Sequence, residues 1–255
     1  MRKLNSPNRY LRISWKDLFI FSFILGLKSG KTRPLDFFRA FEYPVAVNST
    51  SLKSGTCILD VGSGSSILPS FLVSKGCNVY IVDIDKNAVK NQKTYARQFG
   101  KCHSQLFCVL GDITRLCFRD RSFHRILAIS TLEHIRADGD SKAVEEIART
   151  LKDEGIAAIS IPFSSRGYRE TETKSGYNKV YDISAIRNRL LKRSNLRSRI
   201  MYFQERMNFG DGWYRLPVML RTLFFWVAPF ISSASIRKTK HENIAAGAFV
   251  LLFKE

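Results

Sequence analysis

The chain has 255 residues, of which 41 are Lys or Arg and 22 are Asp or Glu, so its formal net charge is +19 at pH 7. Hydrophobic residues make up 45% of the sequence, which excludes a disordered chain because disordered segments lack the apolar residues that offset chain entropy. The 5 cysteines are too sparse for a disulfide scaffold and favour reduced thiols in a cytoplasmic protein.

The N-terminal part, residues 1–52, contains an apolar run at 19–27 that follows several basic side chains. The run is shorter than the roughly 20 residues that span a bilayer, and no small-residue cleavage site follows it. We therefore expect neither a transmembrane span nor a cleaved signal. These residues are expected to form a helical cap or lid over the site.

The middle of the chain alternates short apolar runs with segments of helical periodicity. Strands are predicted at 56–61, 78–82, 105–110, 123–130 and 156–161, and helices at 67–75, 86–99 and 141–151. This alternation predicts parallel βαβ units with right-handed crossovers. The expected fold class is therefore α/β with a mostly parallel sheet.

The C-terminal part contributes a predicted helix at 183–192 and strands at 197–203 and 244–253. Between these strands lies an apolar insertion, 208–243, which precedes the last strand. We divide the chain into the N-terminal cap, 1–52, and one domain, 53–255. Within that domain 53–163 is the expected cofactor-binding half, and 164–255 is the expected substrate side.

Chemistry is expected at the carboxyl ends of the strands, where open α/β sheets bind ligands. The first strand ends in Asp60-Val61-Gly62-Ser63-Gly64, and its two glycines let the backbone turn tightly. A dinucleotide fingerprint is excluded because Ile67 stands where the third glycine would be, and the chain has no P-loop. An acidic loop of this kind suits a ligand that carries positive charge.

Carboxylates also follow the second and third strands. Asp83 stands 21 residues after Gly62, the spacing at which a carboxylate binds ribose hydroxyls, and Ile84 beside it can pack on a base. Asp112 follows the third strand and can accept from an exocyclic amine. Separately, each of these carboxylates could be only a turn residue or a helix cap.

Together these sequences resemble class I S-adenosylmethionine-dependent methyltransferases, most closely the ubiquinone/menaquinone-type small-molecule group. The resemblance covers roughly 54–163 and is carried by 59–64, 82–84, 111–113, 122–126, 132–135, 146–152 and 160–163. It implies a Rossmann-like three-layer sandwich with a mostly parallel seven-stranded sheet whose last strand is antiparallel. It also implies S-adenosylmethionine as cofactor, with its methionine part near Asp60 and its ribose on Asp83. The implied cofactor-binding residues are Asp60, Gly62, Ser63, Gly64, Asp83, Ile84, Asp112, Ile113 and Ser130.

The candidate general base is His134, which follows the fourth strand and has a suitable intrinsic pKa. The alternative is a structural histidine at the start of a helix. Some relatives that bind a metal have Glu-x-x-Glu-His here, but Ser130 stands at the first Glu, so no metal is expected. Substrate contacts are expected around Tyr168, Tyr177 and Tyr181.

The positive charge is concentrated at the two ends of the chain, with net charges of +6 in 1–52, +3 in 53–163 and +10 in 164–255. Basic residues beside aromatic ones suit an anionic membrane surface. We therefore expect a cytoplasmic methyltransferase, peripheral on the inner membrane face, whose acceptor is a small molecule, a glycan or a lipid-linked compound. The alternatives are an RNA methyltransferase, which is less favoured because no RNA-binding module is recognisable, and a non-catalytic cofactor-binding scaffold.

Overall fold

The computed structural model describes residues 10–29, 35–98, 105–173, 176–206, 212, 216–217, 220 and 227–255. An eight-stranded sheet runs through them in the order β3-β2-β1-β4-β5-β10-β8-β9. Its strands are β1 (Cys57–Val61), β2 (Asn78–Asp83), β3 (Leu106–Leu110), β4 (Phe123–Ile129), β5 (Leu151–Pro162), β8 (Arg197–Glu205), β9 (Ile236–Thr239) and β10 (Gly247–Phe253).

The first five strands of the chain are parallel, as predicted from the alternation of strands and helices. β10 then inserts between β5 and β8 and is antiparallel to both. The sheet has eight strands rather than the predicted seven, because β9 adds an antiparallel edge strand to β8. β9 lies inside the predicted insertion, and its sequence, Ile-Arg-Lys-Thr, is too short and too polar to predict a strand.

Helices cover both faces of the sheet and complete the predicted three layers. The numbered helices are α1 (Trp15–Ser29), α2 (Arg39–Ser49), α3 (Leu68–Ser74), α4 (Lys86–Gln98) and α5 (Gly139–Thr150). One face carries α1, α2, α3 and a further helix at Ala228–Ser235, and the apolar side chains of these four helices share one core cluster. The opposite face carries α5 and a helical segment at 183–194 over a second cluster.

A separate two-stranded hairpin follows β5, in a region that the sequence indicated only as a loop. Its strands are β6 (Arg169–Thr173) and β7 (Gly176–Val180). A buried ion cluster fastens it to α5: Asp140 accepts hydrogen bonds from Lys179 Nζ at 2.8 Å, Tyr181 Oη at 2.9 Å and Arg189 Nε at 2.8 Å. The side chains of Lys179 and Asp140 are fully buried, so this cluster fixes the position of the hairpin.

The predicted insertion is described only in part. Its C-terminal end forms the Ala228–Ser235 helix and β9, whereas Trp213, Tyr214 and 223–226 lie outside the described residues. Within the described ranges, no helix combines the length and the apolar composition needed to cross a membrane.

Candidate functional site

The loop that follows β1 forms one wall of a cavity of about 540 Å³, which we name the loop cavity. Gly62 has a φ of 68°, and a Cβ at this position would collide with the side chain of Thr131. Gly64 has a φ of 53°, and no atom lies within 4 Å of where its Cβ would be. Glycine is therefore needed at the first position by the packing, and at the second it leaves open space beside the backbone.

Asp60 lies at the base of the loop cavity and is nearly completely buried. Burial, and to a smaller extent the nearby Asp83, raise the pKa of its carboxyl to about 8, although Arg39 acts in the opposite direction. Ser63 also lines the cavity, and its buried hydroxyl has no hydrogen-bond partner among the described residues. A buried acid beside a hydroxyl that has no protein partner suits a ligand that brings both positive charge and polar atoms.

Helix α2 closes the loop cavity with Arg39 and Tyr43, both of which lie in the predicted N-terminal cap, 1–52. Burial raises the pKa of Tyr43 to about 12, so its phenol stays neutral. One turn of the helix also carries Glu42, which pairs with Arg39 and accepts hydrogen bonds from Ser130 Oγ and Ser160 Oγ, both at 2.9 Å. The N-terminal helices therefore form part of the site wall, and Glu42 joins α2 to the ends of β4 and β5.

Asp83 supports the loop from below rather than lining the cavity. Its Oδ2 accepts from the backbone N–H of Gly64 at 2.7 Å, and its Oδ1 accepts from that of Asp85 at 2.9 Å. A carboxylate oxygen has two lone pairs, so each oxygen retains a site for a ribose hydroxyl. Asp83 is only 8% exposed, and its first observable role is to fix the conformation of the glycine loop.

The residues expected to hold the adenine lie at the ends of β2 and β3. Ile84 is 78% exposed, although it follows a buried strand, so its apolar side chain offers a surface to a ligand. Asp112 Oδ1 accepts from the backbone N–H and the hydroxyl of Thr114, both at 2.8 Å, which leaves Oδ2 available. Ile113 beside it is buried. None of these three residues lines the loop cavity.

The structure thus brings together five of the nine expected cofactor residues in one cavity: Asp60, Gly62, Ser63, Gly64 and Ser130. Ser130 has a φ of 46°, an uncommon backbone conformation for a residue other than glycine. Its backbone N–H donates to Ser160 Oγ at 2.9 Å. This strained position, held by β5, aims the end of β4 at the cavity.

A second cavity of about 790 Å³ adjoins the first, and we name it the hairpin cavity because the β6–β7 hairpin forms one wall. The two cavities share Arg39 and Ser130 in their linings. Phe38, Phe163 and Phe203 supply apolar surface, and Gly247 allows close approach because a Cβ there would collide with the ring of Phe203. A molecule in the hairpin cavity would therefore lie next to one in the loop cavity.

His134 and Glu133 both line the hairpin cavity but in different environments. His134 is exposed, and its Nδ1 lies 3.0 Å from the carbonyl oxygen of Tyr177. Because a carbonyl only accepts, Nδ1 carries the hydrogen, and Nε2 of the neutral ring is left as an acceptor. Glu133 is only 2% exposed, and burial raises the pKa of its carboxyl to about 8.

Of the three tyrosines expected near the substrate, only Tyr177 lines the hairpin cavity. Tyr181 is fully buried in the Asp140 cluster, and the hydroxyl of Tyr168 donates to Glu170. In the part of the chain that the structure describes, no group of three or more His, Cys, Asp or Glu side chains could hold a metal ion.

Comparison with known proteins agrees with this geometry. Residues 59–159 match the family model of a methyltransferase domain. This segment runs from β1 to β5 and includes the ends of β1 and β4, which line the loop cavity. This match supports a class I methyltransferase that depends on S-adenosylmethionine. A search of proteins with curated functions finds no match to the sequence.

Several solved structures share the fold. The 1,6-didemethyltoxoflavin-N1-methyltransferase of Burkholderia thailandensis, solved with S-adenosylhomocysteine, is 14% identical with a TM-score of 0.58, over 100% of this chain and 93% of that one. An S-adenosylmethionine-dependent methyltransferase of Methanosarcina mazei is 18% identical with a TM-score of 0.53, over 80% and 94%. The [4+2]-cyclase SpnF is 15% identical with a TM-score of 0.56, over 98% and 85%. At these identities the likeness shows the fold alone, and that fold also serves a cyclase.

Proposed function

We propose that this chain transfers a methyl group from S-adenosylmethionine to a small-molecule acceptor. The observation that carries the proposal is that the loop cavity and the hairpin cavity meet at Arg39 and Ser130. Methyl transfer is an in-line displacement, so its rate depends on holding the two reactants next to each other in the right orientation. The match of 59–159 to a methyltransferase domain supports this assignment of the two cavities.

The residues of the loop cavity fit the cofactor. When bound, S-adenosylmethionine supplies an activated methyl group on a positively charged sulfonium. Asp60 provides a carboxyl that a cationic ligand would keep ionised, and the open space beside Gly64 admits a ligand close to the backbone. Asp83 would accept from the ribose hydroxyls, Ile84 would pack on adenine, and Asp112 Oδ2, beside Ile113, would accept from its amine.

The acceptor side supports a small, partly apolar substrate. The three phenylalanine rings of the hairpin cavity would enclose an apolar body, as in a quinone-type, glycan or lipid-linked acceptor. His134 is the proposed base that carries the acceptor's proton to solvent through Nε2, since its Nδ1 is engaged with Tyr177. The methyltransferase from Burkholderia thailandensis carries a small-molecule acceptor in its name, which agrees with this class.

The test is methyl transfer from S-adenosylmethionine labelled in its methyl group. The wild-type protein is incubated separately with the small-molecule, lipid and RNA fractions of a cell extract, and Asp153→Asn, an exposed change, serves as a matched control for Asp60→Asn. We expect label in the small-molecule or lipid fraction, and its loss in Asp60→Asn alone. Label in RNA would identify the RNA methyltransferase alternative, and cofactor binding without any labelling would identify the scaffold.

The outer face of α1 favours a second proposal, peripheral binding to an anionic membrane. Leu18 and Leu25 point into the core, yet Ile20, Phe23 and Leu27 on the other side are exposed, so the helix is apolar on both faces. Phe230 of the Ala228–Ser235 helix is also exposed and packs on Trp15 with ring centroids 4.6 Å apart. Exposed cations in the neighbouring segments of the chain include Arg12, Lys16, Arg237, Lys238 and Lys240.

Such a surface, apolar with basic residues beside it, suits an interfacial segment on anionic lipid. Flotation with vesicles of phosphatidylcholine and phosphatidylglycerol tests it at low and high salt, against vesicles of phosphatidylcholine alone. We expect binding to the anionic vesicles that weakens with salt and is lost in the double variant Phe23→Ser and Leu27→Ser. Absence of binding at low salt would remove membrane association while leaving the proposed methyl transfer intact.

A further inference from the structure

Two buried oxygen atoms that line the hairpin cavity have no hydrogen-bond partner. They are Glu133 Oε2 and Asn178 Oδ1, on the turn after β4 and on β7. Within the described residues, few buried side-chain polar atoms lack a partner, and these two belong to one cavity. A buried polar atom left without a partner destabilises a fold, so an atom of this kind in a cavity wall points to a ligand that supplies the partner.

The surroundings of Glu133 do not supply that partner. Its carboxyl faces Arg39 and Glu42 of α2, Ser130 at the end of β4, and Tyr181 after β7. Arg39 is engaged by Glu42, and the hydroxyl of Tyr181 donates to Asp140. The exposed neighbour His134 is turned toward the carbonyl of Tyr177. With these groups engaged elsewhere, the cavity that Glu133 lines is the place from which a ligand could bring a partner for Oε2.

The position of Glu133 places it close to where the two cavities meet. Ser130, whose hydroxyl donates to Glu42, lies beside the carboxyl of Glu133 and itself lines both cavities. One residue therefore separates Glu133 from the loop cavity. A substrate atom that contacted Glu133 Oε2 would lie on the side of the hairpin cavity nearest the proposed cofactor.

We propose that the acceptor substrate is a hydroxyl or amine compound, that its O–H or N–H donates to Glu133 Oε2, and that a second donor of the same molecule binds Asn178 Oδ1. The inference rests on the proposed methyl transfer and names the substrate class of that site. The cavity wall holds two oxygen atoms without a hydrogen-bond partner and several aromatic side chains, which favours a hydroxylated or aminated ring over a substrate that presents only acceptors.

The proton balance follows from this contact. The acceptor oxygen or nitrogen forms a new bond to the methyl carbon, and the methyl–sulfur bond breaks with its electron pair remaining on sulfur. The proton that the acceptor loses passes first to the ionised carboxylate of Glu133, and the exposed His134, proposed above as the base, then passes it on to solvent. Because burial raises the pKa of Glu133 to about 8, the fraction of ionised carboxylate increases as the pH rises toward and beyond that value.

The test uses two probes of the same shape, phenol, which has one donor, and anisole, which has none. Their binding to the full chain is measured by NMR at pH 8.5, with and without S-adenosylhomocysteine. We expect the wild type to bind phenol at least tenfold more tightly than anisole, and Glu133→Met to lose this preference. Equal binding of the two probes by the wild type, or a preference that persists in Glu133→Met, would overturn the proposal.

Thermal unfolding separates a substrate contact from a structural role. A buried group without a partner costs stability, so Glu133→Gln and Glu133→Met should melt no lower than the wild type and on the order of 2–8 °C higher. Glu145→Gln on the exposed side of α5 is the control for the Glu to Gln change itself. A fall of several degrees in both Glu133 variants would assign the carboxyl to the fold and overturn the proposal.

Failure of the proposed function is distinguishable from failure of this inference. Calorimetry with S-adenosylhomocysteine reports on the loop cavity, and we expect the Glu133 variants to bind it within about threefold of the wild type, which is under about 0.7 kcal/mol. A wild type that did not bind S-adenosylhomocysteine would contradict the proposed methyl transfer. In that case the preference for phenol over anisole, measured without S-adenosylhomocysteine, would still show whether a donor binds Glu133.

Discussion

The loop cavity and the hairpin cavity are built from different lengths of chain. The first is closed by the loop after β1, the end of β4 and the first turn of α2, together with the residues just before that helix. The second also requires the β6–β7 hairpin and the ends of β5, β8 and β10. The loop cavity, which we propose for the cofactor, therefore follows from the parallel sheet, whereas the hairpin cavity, which we propose for the acceptor, depends on packing that the sheet does not dictate.

The largest expected effect comes from disrupting the buried ion cluster, which anchors the hairpin cavity and not the loop cavity. Asp140→Asn leaves the fully buried ammonium of Lys179 without its counter-ion, which should lower the free energy of unfolding by about 3–5 kcal/mol. Denaturant unfolding measures this. Because the cluster anchors the hairpin and not the loop, affinity for S-adenosylmethionine should stay close to the wild-type value.

The control for that change is Asp138→Asn, two residues earlier at the exposed start of α5. Asp138 pairs with Lys142 at 3.4 Å on the surface, and exposed pairs of this kind contribute little. We expect its unfolding midpoint to match the wild type. If the two variants unfolded alike, or if Asp140→Asn lost cofactor affinity at native conditions, the hairpin would not be the independent wall described above.

A smaller effect is expected in the loop cavity itself. Gly62→Ala adds a Cβ that collides with Thr131 at a positive φ, and it should destabilise the protein by about 2 kcal/mol. Gly55→Ala is the matched control, since Gly55 has a φ of 82° with open space around it. Unfolding curves for both variants separate the effect of the collision from that of the backbone strain. Equal losses of unfolding free energy would show that the Thr131 side chain moves aside without destabilising the protein.

The smallest expected effect, counted per pH unit, concerns the pH dependence of stability. The pKa of Glu133 is about 8 in the folded protein, above its ordinary value of 4.5, so between about pH 4.5 and pH 8 the folded state binds more protons than the unfolded state. The free energy of unfolding contributed by this group therefore falls as the pH rises through that window, by up to about 1.4 kcal/mol per pH unit.

Urea unfolding of the wild type and of Glu133→Gln at pH 5, 6, 7 and 8 measures that contribution. Asp60, whose pKa is also about 8, contributes a slope of the same sign to both proteins and cancels in the comparison. We expect the wild type to lose stability more steeply than the variant. Parallel curves would show that Glu133 titrates as an ordinary carboxyl.

Much of the fold and of the cofactor side could be predicted because the signals are local. Asp60, Gly62, Gly64 and Ser130 stand at the ends of strands whose apolar runs are clear in the sequence, and parallel strands bring those ends together. Asp83 was selected as a ribose ligand, and the structure adds that it holds the loop through the N–H of Gly64. That second role is a tertiary contact without a sequence signal.

The acceptor side could not be predicted because its contacts join distant parts of the chain. Glu42 accepts from Ser160, 118 residues away, and nothing in either segment indicates that pairing. β6 and β7 are polar and charged, so they lack the alternation that predicts a strand. Lys179 is fully buried, against the usual preference of lysine, because Asp140 compensates its charge. For α2 the sequence indicated a place in the N-terminal cap, and the ionisable residues Arg39 and Glu42 at helical spacing could have marked them as candidate site residues.

The most direct test of the central claim is the affinity for S-adenosylmethionine of the wild type, Asp60→Asn and the exposed control Asp153→Asn, measured by calorimetry. We expect micromolar binding by the wild type and the control, and at least tenfold weaker binding by Asp60→Asn, a difference of about 1.4 kcal/mol. Binding that does not change in Asp60→Asn, or a folded wild type that does not bind, would contradict the assignment of the loop cavity to the cofactor.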